Sequence, residues 1–131
     1  MALLTQKNMG ANTVNSAVAN LVEKNISITD PFVPYQSKGL ATSGLPHIIF
    51  WGQAVDTVAP GATSLTARFE AAAKTEGGTP DYFEIVSIAI PTDNTPMIYS
   101  FEFPCIFIRV TFFAGAGTSV NLQYTLGAYG P

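Results

Sequence analysis

Charge is what this chain of 131 residues has least of: Asp, Glu, Lys and Arg together make up 11%, against roughly 25% in an average globular domain. The six basic residues are scattered as Lys7, Lys24, Lys38, Arg68, Lys74 and Arg109, and the net charge is −3. No basic stripe exists to neutralise phosphates, which argues against nucleic acid as a partner. Histidine and cysteine occur once each, as His47 and Cys105. One of each is too few for a zinc site and excludes an internal disulfide. Cys105, set among apolar neighbours, reads as a buried thiol, and His47, beside Pro46, as a structural histidine at the start of a strand. Long apolar runs are missing too: "CIFIRV" is broken by Arg109 and falls far short of a membrane span. The start, "MALLTQKN", has neither the charged nor the long apolar region of a secretory signal.

Catalytic patterns are equally scarce. A nucleophile needs a base beside it, usually histidine, and no Ser or Thr sits in a G-x-S-x-G elbow. "GAGTS" at 115–119 lacks the lysine and following helix of a phosphate loop and reads as a turn. Glu70, Glu84 and Glu102 fall on separate strands with outward parity, where carboxylates are ordinarily solvated. The nine acidic residues form no D-x-D-x-D loop for calcium. The expectation is a protein that is not an enzyme and carries no metal or cofactor.

What is present is alternation. From residue 26 onward, short runs of period-two pattern are separated by Pro, Gly, Asn and Asp. "NISIT", "HIIFWGQAV", "TSLTARFEAA", "YFEIVSIAI", "MIYSFEF", "CIFIRVTFFA" and "TSVNLQYTLG" each read as a strand. In the third, Leu65, Ala67, Phe69 and Ala71 take one face and Ser64, Thr66, Arg68 and Glu70 the other. "KTEGGTPD" reads as a loop. Strands at this spacing, with no helices between them, predict an all-β antiparallel sandwich of jelly-roll or immunoglobulin-like kind.

Residues 1–25 differ, being polar and rich in Asn, and are read as an N-terminal arm preceding a sandwich domain over 26–131. Val14, Ala17, Val18, Leu21 and Val22 match the apolar spacing of an amphipathic helix. Three of those five are β-branched, and Glu23 would sit at the unfavourable end of the helix dipole. A short helix and an extended arm or first strand both remain open.

The last two strands predict a hairpin. Ile106, Ile108, Val110 and Phe112 share one face, as do Val120, Leu122, Tyr124 and Leu126. A five-residue loop over 114–118 would pair Phe112 with Val120, Val110 with Leu122 and Ile108 with Tyr124. The opposite face would set Arg109 against Gln123 and leave Phe107 and Phe113 uncovered on a polar surface. Phe107, Phe113 and Arg109, with Val14, Val18 and Leu21 of the arm, are therefore the candidate partner-binding residues. A neighbouring subunit and an internal loop are equal candidates for the cover over the two phenylalanines. Trp51, in a dense apolar strand, is expected to pack in the core. An alternative reading makes Trp51 and Tyr35 a sugar-stacking platform beside Asp56 or Asp93, in a carbohydrate- or receptor-binding module of tail or lectin-like type.

The stretch "IRVTFFAGAGTSVNLQYTLG", together with the Asn- and Ser-rich start, resembles small virion proteins of tailed bacteriophages. In style it is similar to head decoration, or cement, proteins with β-sandwich folds. The resemblance implies a non-enzymatic protein made in the host cytoplasm that sits on the capsid surface of the virion. It also implies self-association, as a trimer, and the major capsid protein or a similar large assembly as partner. The arm would reach over neighbouring subunits.

Overall fold

Side chains alternate across a strand, so each run of apolar residues at every second position selects one face to bury. The computed structural model describes residues 17–29, 34–57, 64–115 and 119–130, and places nine strands among them. These are β1 (Ala17–Ile28), β2 (Tyr35–Gln36), β3 (Leu40–Ala41), β4 (His47–Asp56), β5 (Leu65–Glu76), β6 (Thr79–Ile90), β7 (Met97–Glu102), β8 (Phe107–Ala114) and β9 (Val120–Tyr129). Every pairing is antiparallel, and the strands form two sheets. Sheet I has the order β1-β9-β4-β7; sheet II has β2-β8-β5-β6, with β3 also on β8.

Taken together, β2 and β3 are one strand interrupted at 37–39. Ser37 bridges the gap: its N–H donates to the Val110 carbonyl at 2.9 Å, and its Oγ accepts from the Val110 N–H at 3.0 Å. With that join, the first strand pairs with the last, the second with the last but one, and so on inward, alternately in one sheet and the other. This is the jelly-roll arrangement of the β-sandwich.

The core lies between the sheets and is largely aromatic. Phe50 packs edge-on to Phe69 with centroids 5.2 Å apart, and Phe112 lies 5.1 Å from Tyr124. Leu65, Ala67, Phe69 and Ala71 are buried on one face of β5, as their alternation requires. Gly52 occupies an inward position because the Phe50 ring folds over it: a Cβ there would stand 2.7 Å from a ring carbon. Cys105 is buried, as its neighbours suggest.

Three expectations need correction. The hairpin of the last two strands does not form: β8 pairs with β5, β2 and β3, while β9 pairs with β1 and β4. Ile108, Val110 and Phe112 do share a core with Val120, Leu122 and Tyr124, but they meet it from opposite sheets. Parity fixes which face is inward and is satisfied equally by a partner beside the strand or across the sandwich. Arg109 therefore stands opposite Glu70, not Gln123, and Gln123 stands opposite Gln53. Ile106, assigned to the core face, is 37% exposed, because the chain bends there before β8 begins. "KTEGGTPD" is a tight hairpin whose turn is Gly77-Gly78, both at positive φ, with β5 and β6 running up to it.

At the start of the sandwich the structure selects between the readings left open. Over residues 17–25, where a short helix and an extended arm or first strand were both open, the chain is strand: β1 pairs with β9 from Ala17 onward. Val18 and Leu21 lie on this strand, and Leu21 is half-buried against the core. Val14 and residues 116–118 of the expected hairpin loop lie outside the described residues.

β1 also carries Glu23, an acidic side chain aimed at the interior. Its register slips opposite Leu122–Tyr124, and Asn25 adopts a φ of 58° within that bulge. The extra residue flips parity, so Glu23 rather than Lys24 faces inward beside Tyr124. The Tyr124 hydroxyl donates to Glu23 Oε1, and the Tyr35 hydroxyl of sheet II donates to Oε2 at 2.8 Å. One carboxylate thus ties the two sheets together along the β1/β2 side.

Burial first, and the Glu23 carboxylate second, push the hydroxyls of Tyr35 and Tyr124 above the usual tyrosine range. The folded state keeps protons that the unfolded chain releases near pH 10. Stability from these groups is complete below that pH and falls as pH rises through it. In a 295 nm titration, phenolate signal from these two residues is expected to appear together with unfolding, monitored by circular dichroism. Replacing Glu23 by Ala leaves two phenol hydroxyls without an acceptor and is expected to cost on the order of 1–3 kcal/mol in denaturant melts. Early, fold-independent ionisation of every tyrosine, or an unaltered melt for Glu23→Ala, would contradict this.

Candidate functional site: the two outer faces of the sandwich

The outer faces are built from the residues that alternate with the core, and they differ in chemistry. On sheet II, the outward residues of β8 are Phe107, Arg109, Thr111 and Phe113, set against Ala72, Glu70, Arg68 and Thr66 of β5. Glu70 is 7% exposed and is held by three donors. Arg109 Nε donates to its Oε1 at 2.8 Å, Thr111 Oγ1 donates to the same oxygen at 3.0 Å, and Arg68 reaches Oε2 at 3.2 Å. Arg68 also lies 3.9 Å from Glu84 of β6. Two arginines and two glutamates cancel, so the network is neutral.

The same arginines cover the aromatics of this face. The Arg68 guanidinium lies 4.4 Å from the centroid of Phe113, and that of Arg109 lies 3.8 Å from the centroid of Tyr82. Gly39 makes room for Tyr82, since a Cβ there would meet its hydroxyl at 2.1 Å. Phe107, beside Gly39, is half-buried, as is Phe113. Phe113 thus has an internal cover, the guanidinium of its neighbouring strand, which the sequence reading did not consider. The expected trio of Phe107, Phe113 and Arg109 does lie on one face, and Leu21 lies on the other sheet, directed inward.

Sheet I presents the opposite case. One transverse row crosses all four of its strands: Val22, Thr125, Trp51 and Ile98, each directly opposite the next. Val22 is 54% exposed and Ile98 71% exposed. Ile49 and Val55 flank Trp51 on β4 with the same outward parity, and both are exposed. In the next row Gln123 Nε2 donates to Gln53 Oε1 at 2.7 Å, and Gln53 Nε2 donates to the Asn94 carbonyl at 2.9 Å, with Lys24 and Asn25 of the β1 bulge beside Gln123. Charge enters at Lys24, exposed in the β1 bulge, and at the end of the face, where His47 and Glu102 stand 3.4 Å apart.

Trp51 was expected in the core and is half-buried on this outer face instead. Its neighbours Ile48 and Phe50 share the dense apolar run, but only even-numbered positions of β4 point inward. The signal was in the sequence: "HIIFWGQAV" alternates strictly only if Gly52 and Ala54 accompany Phe50 inside. Tyr35 is not near Trp51; it belongs to sheet II, with its hydroxyl on Glu23. The proposed pair therefore does not form a common platform. Asp56, for its part, accepts from Thr92 Oγ1 at 3.2 Å at the far end of β4.

The edges of the sheets are blunted. β1 is bulged, β6 carries Pro80 and a bulge opposite Phe69–Glu70, and β7 lies between Pro96 and Pro104. Such devices discourage edge-to-edge pairing and leave the faces as the natural contact surfaces.

No protein-family model matches the chain, and no curated protein matches it in sequence. Among solved structures it is similar to a chain from Bacillus endospore appendages, described as a novel family of disulfide-linked pili. That likeness has 14% sequence identity and a TM-score of 0.47, and covers 97% of this chain and 100% of that one. At such a TM-score it carries no argument about function.

Proposed function

We propose that this chain is a non-enzymatic structural protein that self-associates and joins a larger protein assembly, with the outer face of sheet I as its contact surface. The observation that carries this reading is the uncharged row Val22–Thr125–Trp51–Ile98, with Ile49 and Val55 beside it, in a chain already short of charge. Covering that row removes apolar area from water at roughly 25 cal/mol per Å², and none of its four residues carries a charge to desolvate. Sheet II offers less, because its charges and aromatics already satisfy one another. The finer identity follows the resemblance noted in the sequence: a decoration or cement protein on the capsid surface of a virion, made in the host cytoplasm, forming a trimer and binding a major capsid protein. Repetition across a lattice would multiply modest contacts into stable attachment.

Light scattering on the purified chain is expected to give a closed oligomer, of three copies on that resemblance. Ile98→Lys, which puts a charge on the exposed row at the β7 edge of the face without touching the core, is expected to lower the apparent association constant at least tenfold while leaving circular dichroism unchanged. A monomer at every concentration, or an Ile98→Lys protein that associates as before, would sink the proposal.

A second reading has one specific observation in its favour. Trp51 is on the surface, next to amide side chains that suit hydroxyl groups, so a glycan could stack on it. Titration of a glycan panel against Trp51 fluorescence separates the readings. The assembly proposal expects no saturable change with any sugar; a saturable quench abolished by Trp51→Ala would favour the carbohydrate-binding module instead.

A further inference from the structure

The β1/β2 side of the sandwich is tied shut through Glu23, whereas the opposite side, between edge strands β6 and β7, is open. A groove of about 440 Å³ lies between those strands. Its floor is aromatic: Phe83 packs edge-on against Phe103 with centroids 5.9 Å apart, and Tyr99 lies 5.6 Å from Phe101. Phe83 stands opposite buried Ala71 and so has inward parity, yet it is 47% exposed. The reason is that β6 is an edge strand, with no strand beyond it among the described residues. Glu84 and Glu102 flank the groove from the two sheets, with side chains 53% and 64% exposed. No lysine or arginine is among the described residues that line it.

Elsewhere this chain shows what completes such a set. On sheet II an aromatic ring, a glutamate and a guanidinium come together twice. Arg68 lies over Phe113 and Arg109 over Tyr82, and Glu70 holds both arginines. In the groove the rings and the carboxylates are present, and the cation is the missing part. The carboxylates keep acceptor capacity for it. Glu84 accepts from Ser87 Oγ at 3.1 Å and lies 3.9 Å from Arg68, while Glu102 stands 3.4 Å from His47. An ionised carboxylate has about four acceptor positions, so neither is saturated.

We propose that this groove receives an arginine side chain from a different protein of the assembly, with its guanidinium over the aromatic floor and its charge met by Glu84 and Glu102. A guanidinium is planar and weakly hydrated, and it can stack on a ring while donating sideways to a carboxylate. A second copy of this chain has none to offer: its only arginines, Arg68 and Arg109, are already engaged on sheet II. Ile85 and Val86 extend the wall of the groove, which suits apolar residues on either side of the incoming arginine. The contact is made by side chains and adds no strand to the blunted edge. It rests on the assembly reading for the source of the arginine, yet the two fail separately. Self-association of the Ile98→Lys protein reads the sheet I face, whereas peptide binding reads the groove.

The test titrates the full chain with the blocked tripeptide acetyl-leucyl-arginyl-leucinamide, followed by amide and aromatic NMR shifts. The control peptide carries citrulline, which has the shape of arginine without its charge. Saturable shifts are expected in residues 79–90 and 97–103, with the citrulline peptide about tenfold weaker or more. Glu84→Gln with Glu102→Gln, folded by circular dichroism, is expected to weaken the arginine peptide about fivefold and leave the citrulline peptide unchanged. Should that pair fail to fold, Glu102→Gln alone serves the same comparison. Absence of saturation, shifts centred on sheet I, equal binding of the two peptides, or an affinity indifferent to the glutamine substitutions would overturn the proposal. So would loss of self-association in the glutamine variant by light scattering, which would give the groove to a second copy instead.

Discussion

A carboxylate aimed into an apolar sandwich is tolerated only where donors meet it, and Glu23 meets two. The hydroxyls of Tyr124 and Tyr35 reach it from opposite sheets, so a single acidic side chain fixes how the sheets sit on the β1/β2 side. The bulge at Lys24–Asn25 exists in service of this contact, because without the extra residue Glu23 would point to solvent. The aromatic core follows from it. Tyr124 is held in place by its hydroxyl and can stack within the cluster of Phe50 and Phe112. With one side closed by this tie, the opposite side, between β6 and β7, is the one left open.

Satisfaction of polar groups also separates the two outer faces. Sheet II gathers Arg68, Arg109, Glu70 and Glu84 into a neutral network whose guanidinium groups lie over Phe113 and Tyr82. Four of the few charged residues in the chain are thereby used on one face. Sheet I is left with Val22, Ile49, Trp51, Val55 and Ile98 in contact with water. Scarcity of charge is thus not spread evenly: the row across sheet I carries none, and Lys24 and Glu102 of that sheet lie off it. That asymmetry, rather than any single residue, is the reason to read the molecule as a component of something larger.

Much of this was legible in the chain, and what was not failed for definite reasons. Alternation correctly separates inward from outward positions in β5, β8 and β9, because period two is a property of the strand alone. It cannot name the neighbour, so Phe112 and Val120 were expected side by side although they face one another across the core. The helix-like spacing of Ala17, Val18, Leu21 and Val22 was overridden by pairing with β9, a contact between residues about a hundred positions apart. Trp51 was expected inside on the strength of its residue type, while its position in β4 says outside. The ion pair of Arg109 with Glu70 was invisible because it depends on β8 lying beside β5.

Trp51 is the chain's only tryptophan, and it stands at the centre of the sheet I face. Its emission therefore reports directly on whether that face is covered. The most direct test is to record emission maximum and acrylamide quenching as the protein is concentrated from dilute, dissociated solution into its assembled form. The account predicts a blue shift and a clear loss of quenching on assembly. An assembled protein whose Trp51 emits and quenches as in the dilute state would show that sheet I remains open to water, and would contradict it.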